Sequence, residues 1–237
     1  MKRIIDLTLA CVGLAIFSPV LLLAAVAIWV QDFKNPFYVA PRIGIHEKPF
    51  QMVKLRSMVV DADRTGVAST SSSDTRITKI GGFIRKFKLD EITQLWNVLI
   101  GEMSLVGPRP NVASETQFYS QTEMRLLSIK PGITDFASIV FADEGEILNG
   151  HRDADLAYKQ LIWPGKSRLG LFYVQHQTSK VDLALISLTA ASLFSRRLAL
   201  KYTAKLLVSL NAPKELVTLS ERKLPLSRMS INGGHTG

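Results

Sequence analysis

Asp90 and Glu91 stand side by side in Lys88-Leu89-Asp90-Glu91-Ile92-Thr93-Gln94-Leu95-Trp96-Asn97, directly after the cations Arg85, Lys86 and Lys88. An ionised carboxylate beside fixed cations can attack phosphorus or ligate a hard divalent metal. Ile92, Leu95, Trp96 and Leu99 recur at i, i+3, i+4 and i+7, which is one face of a helix. That spacing puts Asp90 at or next to the N-cap and Glu91 in the first turn, where the helix dipole favours both ionised forms. The competing reading is that Asp90 only caps the helix.

Three further cations fit phosphate chemistry. Lys54 and Arg56 lie on one face of an alternating, strand-like stretch from Phe50 to Arg56. Arg109 sits between Pro108 and Pro110, which hold the chain extended and deny it a helix. A rigid arginine is a good bidentate clamp for phosphate. For each of these the plainer reading, a solvated strand face or a surface turn, stays open.

Other chemistries are absent. There is no G-x-G-x-x-G fingerprint, no phosphate-binding G-x-x-x-x-G-K-[ST] loop, and no Ser-His-Asp or Cys-His arrangement. The four histidines show no zinc spacing, so a metal here is expected to be a hard ion held by oxygen. Cys11 is the sole cysteine, which rules out an internal disulfide and fits a reducing compartment. The net charge of +9 suits phosphate groups or anionic lipid. No RNA- or DNA-binding signature accompanies it, so nucleic acid is not an expected partner.

At 237 residues the chain has room for one domain with a full core plus appendages. Met1-Lys2-Arg3 leads into an uncharged run from Leu7 to Val30, about the ~20 residues that cross a bilayer. Ser18-Pro19 falls mid-run, where proline removes a backbone donor and bends a helix. Basic residues flank both ends, so the run is read as either spanning or re-entrant, with a cleaved signal peptide the weaker third reading. Residues 61–75 read as a mobile polar loop and Ile80 to Phe87 as a short helix. Ser138 to Phe141 reads as a strand, and Asp143, Glu144 and Glu146 as a solvated acidic patch. A helix over Tyr158 to Trp163 is expected to stop at Pro164-Gly165. Val181 to Leu210 reads as a long helix on which Arg197, Lys201 and Lys205 make a basic stripe, fit for an anionic membrane surface or for packing on the core. From Asn211 onward the chain is expected to be a disordered basic tail.

The blocks Ser73 to Gly81, Arg85 to Leu99 and Gly101 to Pro110 together resemble the bacterial sugar transferases, the monotopic polyprenyl-phosphate phosphoglycosyl transferases. Lys54-Leu55-Arg56-Ser57-Met58, Lys130-Pro131-Gly132-Ile133-Thr134 and Ser18-Pro19 also match, and the likeness runs from residue 1 to about 200. The resemblance implies transfer of a sugar-1-phosphate from a nucleotide diphosphate sugar, usually a UDP-sugar, to undecaprenyl phosphate, initiating a surface polysaccharide or glycan. It implies Asp90 as the nucleophile that forms a covalent phosphosugar, Glu91 as the Mg²⁺ ligand, and Lys54, Arg56, Arg85 and Arg109 near the phosphates.

The fold so implied is α+β and mainly helical. A re-entrant membrane helix broken at Ser18-Pro19 occupies 1–33. A compact cytoplasmic transferase domain with short strands and amphipathic interface helices occupies 34–210, and the tail 211–237, with the body on the cytoplasmic face of the inner membrane. Membrane lipids are expected partners, and a homo-oligomer is an open expectation. Asp135, Gly170 and the Ser138-Ile139-Val140-Phe141 stretch depart from the family pattern, in the region expected to recognise the sugar. A non-catalytic, membrane-anchored scaffold of the same fold is the alternative, and a membrane hydrolase using the same aspartyl chemistry a further one.

Overall fold

The computed structural model describes residues 1–62, 69–223 and 226. Its first element, α1 (Lys2–Asp32), is helical throughout, with Pro19 inside it. The expected break at Ser18-Pro19 is therefore not an end of helix. Pro19 has no N–H to offer the carbonyl of Ala15, and the Ser18 hydroxyl donates to that carbonyl instead, at 2.9 Å. The middle of α1 exposes large apolar side chains, with Leu22 66% and Leu23 71% accessible. It is the one helix among the described residues that is long and apolar enough to cross a membrane.

Both ends of α1 are fastened to the rest of the protein. Lys2 donates to Asp182 (2.7 Å) and to the carbonyl of Val106 (2.9 Å), and the Asp6 carboxylate accepts from Ser104 and from the Leu105 N–H. At the far end Asp32 receives Arg56 through two bonds of 2.5 and 2.7 Å, while Ile28 packs with Leu55 and Ile84.

Beyond α1 come two strands, β1 (Phe37–Ile43) and β2 (Pro49–Leu55), paired antiparallel with Tyr38 opposite Lys54. The helices α2 (Lys79–Lys86), α3 (Leu89–Ile92) and α4 (Leu95–Ile100) lead to β3 (Ser104–Val106). After α5 (Ala113–Thr116), β4 (Gly132–Thr134) pairs parallel with β3. Gly107 and Gly132 meet back to back at this pair. A Cβ on Gly132 would fall 2.0 Å from the Gly107 nitrogen, so both must be bare. The turn residues from Lys130 thus lead into a strand.

The rest is helical: α6 (Phe136–Val140), α7 (Glu144–Ile147), α8 (Ala154–Ala157), α9 (Trp163–His176), α10 (Ser179–Ser192), α11 (Arg196–Ser209) and α12 (Lys214–Glu221). One core gathers Val98, Met103, Phe136, Leu169, Tyr173, Leu185 and Leu207 from across these elements. Mainly helical architecture with short strands matches the expected class.

Several local expectations differ from the structure. Ser138 to Phe141 is not a strand, because the Asp135 carboxylate accepts from the Ser138 N–H at 2.7 Å and N-caps α6. Pro164 does not stop a helix. It lies in the first turn of α9, where its missing N–H has no partner to lose. The stretch from Val181 to Leu210 is two helices, parted at Leu193–Ser195 where Ser195 N-caps α11. The acidic patch is not merely solvated: Asp143 faces both Arg196 and Arg222, and Glu144 pairs with Lys166. The disordered tail expected over 211–237 gives way to α12, which buries Leu216 and Leu219 against the body. Residues 224–225 and 227–237 of that tail, and residues 63–68 of the expected mobile loop, lie outside the described residues. The described part of that loop is tied down, the Ser72 N–H donating to the carbonyl of Gly145 at 2.8 Å.

Candidate active site

The chain enters α3 through Lys88, a non-glycine residue in the left-handed region at φ 53°. Lys88 therefore takes the N-cap position and offers no side-chain cap, while Asp90 and Glu91 both lie inside the first turn. Asp90 is not the cap, and its carboxylate accepts no hydrogen bond from the described residues. That removes the reading in which Asp90 only caps the helix.

A polar seam sets this turn against β2. The Thr93 hydroxyl donates to the carbonyl of Val53 at 3.0 Å. The Asn97 side chain accepts from the Val53 N–H at 3.0 Å and donates to the carbonyl of Gln51 at 2.7 Å. These bonds grip the strand just before Lys54, so the same seam that docks α3 and α4 brings the ammonium to the acids. Sequence reasoning missed Thr93 and Asn97. Their signal was there: two polar side chains beside an apolar helical stripe are worth a partner when buried. The stripe itself turns elsewhere. Leu95 approaches Gly13 of α1, and Trp96 stays 53% exposed.

Arg109 arrives from the opposite side, on the proline-stiffened chain that the Gly107–Gly132 contact holds in place. Its Nη2 donates to Glu91 Oε1 at 2.5 Å. Lys54, Asp90, Glu91 and Arg109 thus form one cluster.

The charges within it are pushed apart. Burial raises the Asp90 carboxyl above its ordinary value and the adjacent Glu91 adds to this, against Lys54, Arg109 and Arg85. This differs from the expectation that the helix dipole alone would favour ionised Asp90. Burial also pushes Glu91 up, but Arg109, Lys54 and Lys88 outweigh it and hold that carboxyl at about 2. Burial pushes the Lys54 ammonium down to about 8, helped by Arg109 and opposed by Glu91 and Asp90. Arg109 itself is held more firmly charged by Glu91. Two neighbouring carboxyls with opposite shifts are suited to separate roles: the more basic Asp90 as nucleophile, the permanently ionised Glu91 as a fixed charge.

Two expected phosphate ligands fare differently. Arg85, in the last turn of α2, acts on Asp90 through its field. Arg56 is a correction. It leaves β2 into a pocket where it is 8% exposed, with both terminal nitrogens on Asp32 and Nε on the carbonyl of Asn35. A guanidinium so engaged, with its charge met by Asp32 and its side chain buried, is held for structure and not presented to a phosphate.

Around Arg109 the structure adds side chains that sequence reasoning did not place there. Arg42, Glu115, Tyr158, Glu144 and Asp135 act on one another or on Arg109. The departures from the family pattern acquire structural roles. Asp135 is the buried cap of α6, and Gly170 lets α9 close on Leu126, whose Cδ2 would lie 2.9 Å from an added Cβ.

No group of three or more His, Cys, Asp or Glu among the described residues forms a metal cage. Two adjacent carboxylates, one ionised at any physiological pH, still fit Mg²⁺, which takes one or two protein carboxylates and completes its shell with substrate phosphates and water.

The profile of the family described as "Bacterial sugar transferase" matches residues 1–196. A putative undecaprenyl-phosphate N-acetylgalactosaminyl 1-phosphate transferase of Bacillus subtilis is 42% identical over 46% of this chain and 61% of its own. An uncharacterized sugar transferase, EpsL, of the same organism is 34% identical over 80% of this chain and 85% of its own. A UDP-glucose:undecaprenyl-phosphate glucose-1-phosphate transferase of Caulobacter vibrioides is 36% identical over 67% of this chain and 62% of its own. The chain spans less than two thirds of the first and third of these relatives. It belongs to the bacterial sugar transferase family.

Proposed function

We propose that the protein moves a sugar-1-phosphate from a nucleotide diphosphate sugar, a UDP-sugar by preference, to undecaprenyl phosphate. The observation that carries this reading is the convergence of Asp90, whose carboxylate accepts no hydrogen bond among the described residues, with Lys54, Glu91 and Arg109. Asp90 attacks the phosphorus that bears the sugar, forming an aspartyl phosphosugar and breaking the bond to the nucleoside monophosphate, which leaves. The lipid phosphate oxygen then attacks the same phosphorus, giving the lipid diphosphosugar and returning the Asp90 carboxylate. Lys54 and Arg109 face the oxygens on which negative charge builds, and Arg85 adds its field. Mg²⁺, held at Glu91 and by the donor's own phosphates, would supply further positive charge to those oxygens.

The membrane reading belongs to the same proposal. A helix whose apolar middle is exposed, while Lys2 and Asp6 at one end and Asp32 at the other bind the same body, is what a re-entrant element requires. Both ends then lie on one face of the inner membrane, the cytoplasmic one, where nucleotide sugars are available. The product would initiate a surface polysaccharide.

The test is release of nucleoside monophosphate from a panel of UDP-sugars, with Mg²⁺ and undecaprenyl phosphate, by wild type and Asp90→Asn. Release that requires the lipid and vanishes in the variant supports the transferase and names the sugar. Turnover without the lipid would replace it with a hydrolase, and activity surviving in Asp90→Asn would remove the covalent step.

A further inference from the structure

At the opposite end of α3–α4 from Asp90, Gly101 closes α4 in the left-handed region at φ 89°. Where its Cβ would stand, the three nearest heavy atoms all belong to two cations: Arg3 Nη2 at 3.4 Å, Lys130 Nζ at 3.6 Å and Arg3 Cζ at 3.8 Å. Like charges converging on one bare point repel unless an anion sits between them. Arg3 is partly accounted for, since it donates to the carbonyls of Val98 (2.5 Å) and Leu99 (2.8 Å) at the C-terminal end of α4. Lys130 has neither a hydrogen bond nor an ion pair among the described residues.

The surroundings identify the class of anion. Arg3 opens the membrane helix next to Ile4, which is 68% exposed, and α4, which ends at Gly101, exposes Ile100 (51%) and Trp96 (53%). Apolar side chains with a tryptophan, edged by cations, mark the level of lipid headgroups. Ten residues, mostly helical, lie between Asp90 and Gly101, about 16 Å at the helical rise, too far for a phosphate held here to attack at Asp90.

We propose that Arg3, Lys130 and the bare face of Gly101 form a binding site for the phosphodiester of an anionic phospholipid, separate from the acceptor's site. It rests on the membrane placement of α1 argued above and not on the transfer chemistry. The headgroup would neutralise the two cations and fix the depth at which the body sits on the bilayer.

The test reconstitutes the full chain in phosphatidylcholine nanodiscs with and without phosphatidylglycerol, then counts lipids retained after release by native mass spectrometry. One phosphatidylglycerol per chain is expected, with retention about fivefold lower in Lys130→Gln and preserved in Lys130→Arg. Asp90→Asn should retain the lipid as wild type does, so loss of transferase activity and loss of this site are read separately. Equal retention of phosphatidylcholine, or undiminished retention in Lys130→Gln, would overturn the site. Displacement by inorganic phosphate would reassign it to the free anion, and displacement by undecaprenyl phosphate to the acceptor, and either would overturn the proposal. The wild-type comparison of the two lipids decides the matter even if Lys130→Gln fails to fold.

Discussion

Two arginine–carboxylate pairs in this protein share a shortest contact of 2.5 Å and serve opposite ends. Arg56 meets Asp32 through both terminal nitrogens, gives Nε to a carbonyl, and is 8% exposed. Arg109 meets Glu91 through one nitrogen, its side chain is 31% exposed, and near it stand Asp90 and Lys54, whose side chains make no hydrogen bond among the described residues. The first pair is closed and holds the end of α1 to the body. The second is open, with charge left over. A cation's role follows from how much of its hydrogen-bonding capacity the fold consumes, and not from its type or its place on a strand.

The largest effect should come from the open pair. Arg109→Ala is expected to cut turnover by about 10²- to 10³-fold, far more than the stability lost by leaving Glu91 without its partner can explain. Arg56→Ala should do the reverse. It breaks the tie between the end of α1 and the body and should lower the melting temperature, leaving turnover per folded chain near wild type. Thermal unfolding beside steady-state rates reads both, and a stable but inactive Arg56→Ala would break the comparison.

The contrast was half legible in the sequence. Lys54 and Arg56 are two residues apart and were indistinguishable there, because what separates them is Asp32, distant in the chain and reached only through the fold of α1. The Asp90-Glu91 pair and the proline-braced Arg109 were legible because their chemistry is written locally. Ser138 to Phe141 misled because its β-branched residues favour a strand, whereas Asp135, two residues before Ala137, supplies a helix cap that wins. Pro164 misled because proline ends a helix from the inside yet begins one from its first turn. The polar seam of Thr93 and Asn97 was hidden behind the apolar stripe, which in the structure splits between α1, the core and the surface.

A smaller effect sharpens the open site. Lys54 faces Arg109, Arg42, Glu91 and Asp90, and its ammonium is pushed down to about 8. Below that pH the charged form dominates; as pH rises through about 8 the site loses a positive charge. The donor kcat/KM, which reports the free enzyme, should therefore decline above about pH 8, by up to tenfold per unit. Lys54→Arg should move this alkaline limb upward, since guanidinium stays charged. A limb unmoved by Lys54→Arg would assign the titration to another group.

The smallest effect is expected where closure is redundant. Asp143 lies 2.8 Å from Arg196 and 2.9 Å from Arg222, both beyond or at the edge of the family match. Arg222→Gln leaves Arg196 in place and should cost about 1 kcal/mol, read from denaturant midpoints, with turnover within about twofold. A larger loss of turnover than of stability would mean that α11 and α12 reach the donor through Glu144 and Lys166.

The central claim is that Asp90 carries the sugar phosphate. The direct measurement is intact-protein and peptide mass spectrometry of the full chain incubated with its UDP-sugar and Mg²⁺, without lipid acceptor. The account predicts one sugar-phosphate adduct per chain on the peptide bearing Asp90, formed with one nucleoside monophosphate released and discharged when undecaprenyl phosphate is added. Turnover with lipid but no adduct at any time, or an adduct on another residue, would contradict it.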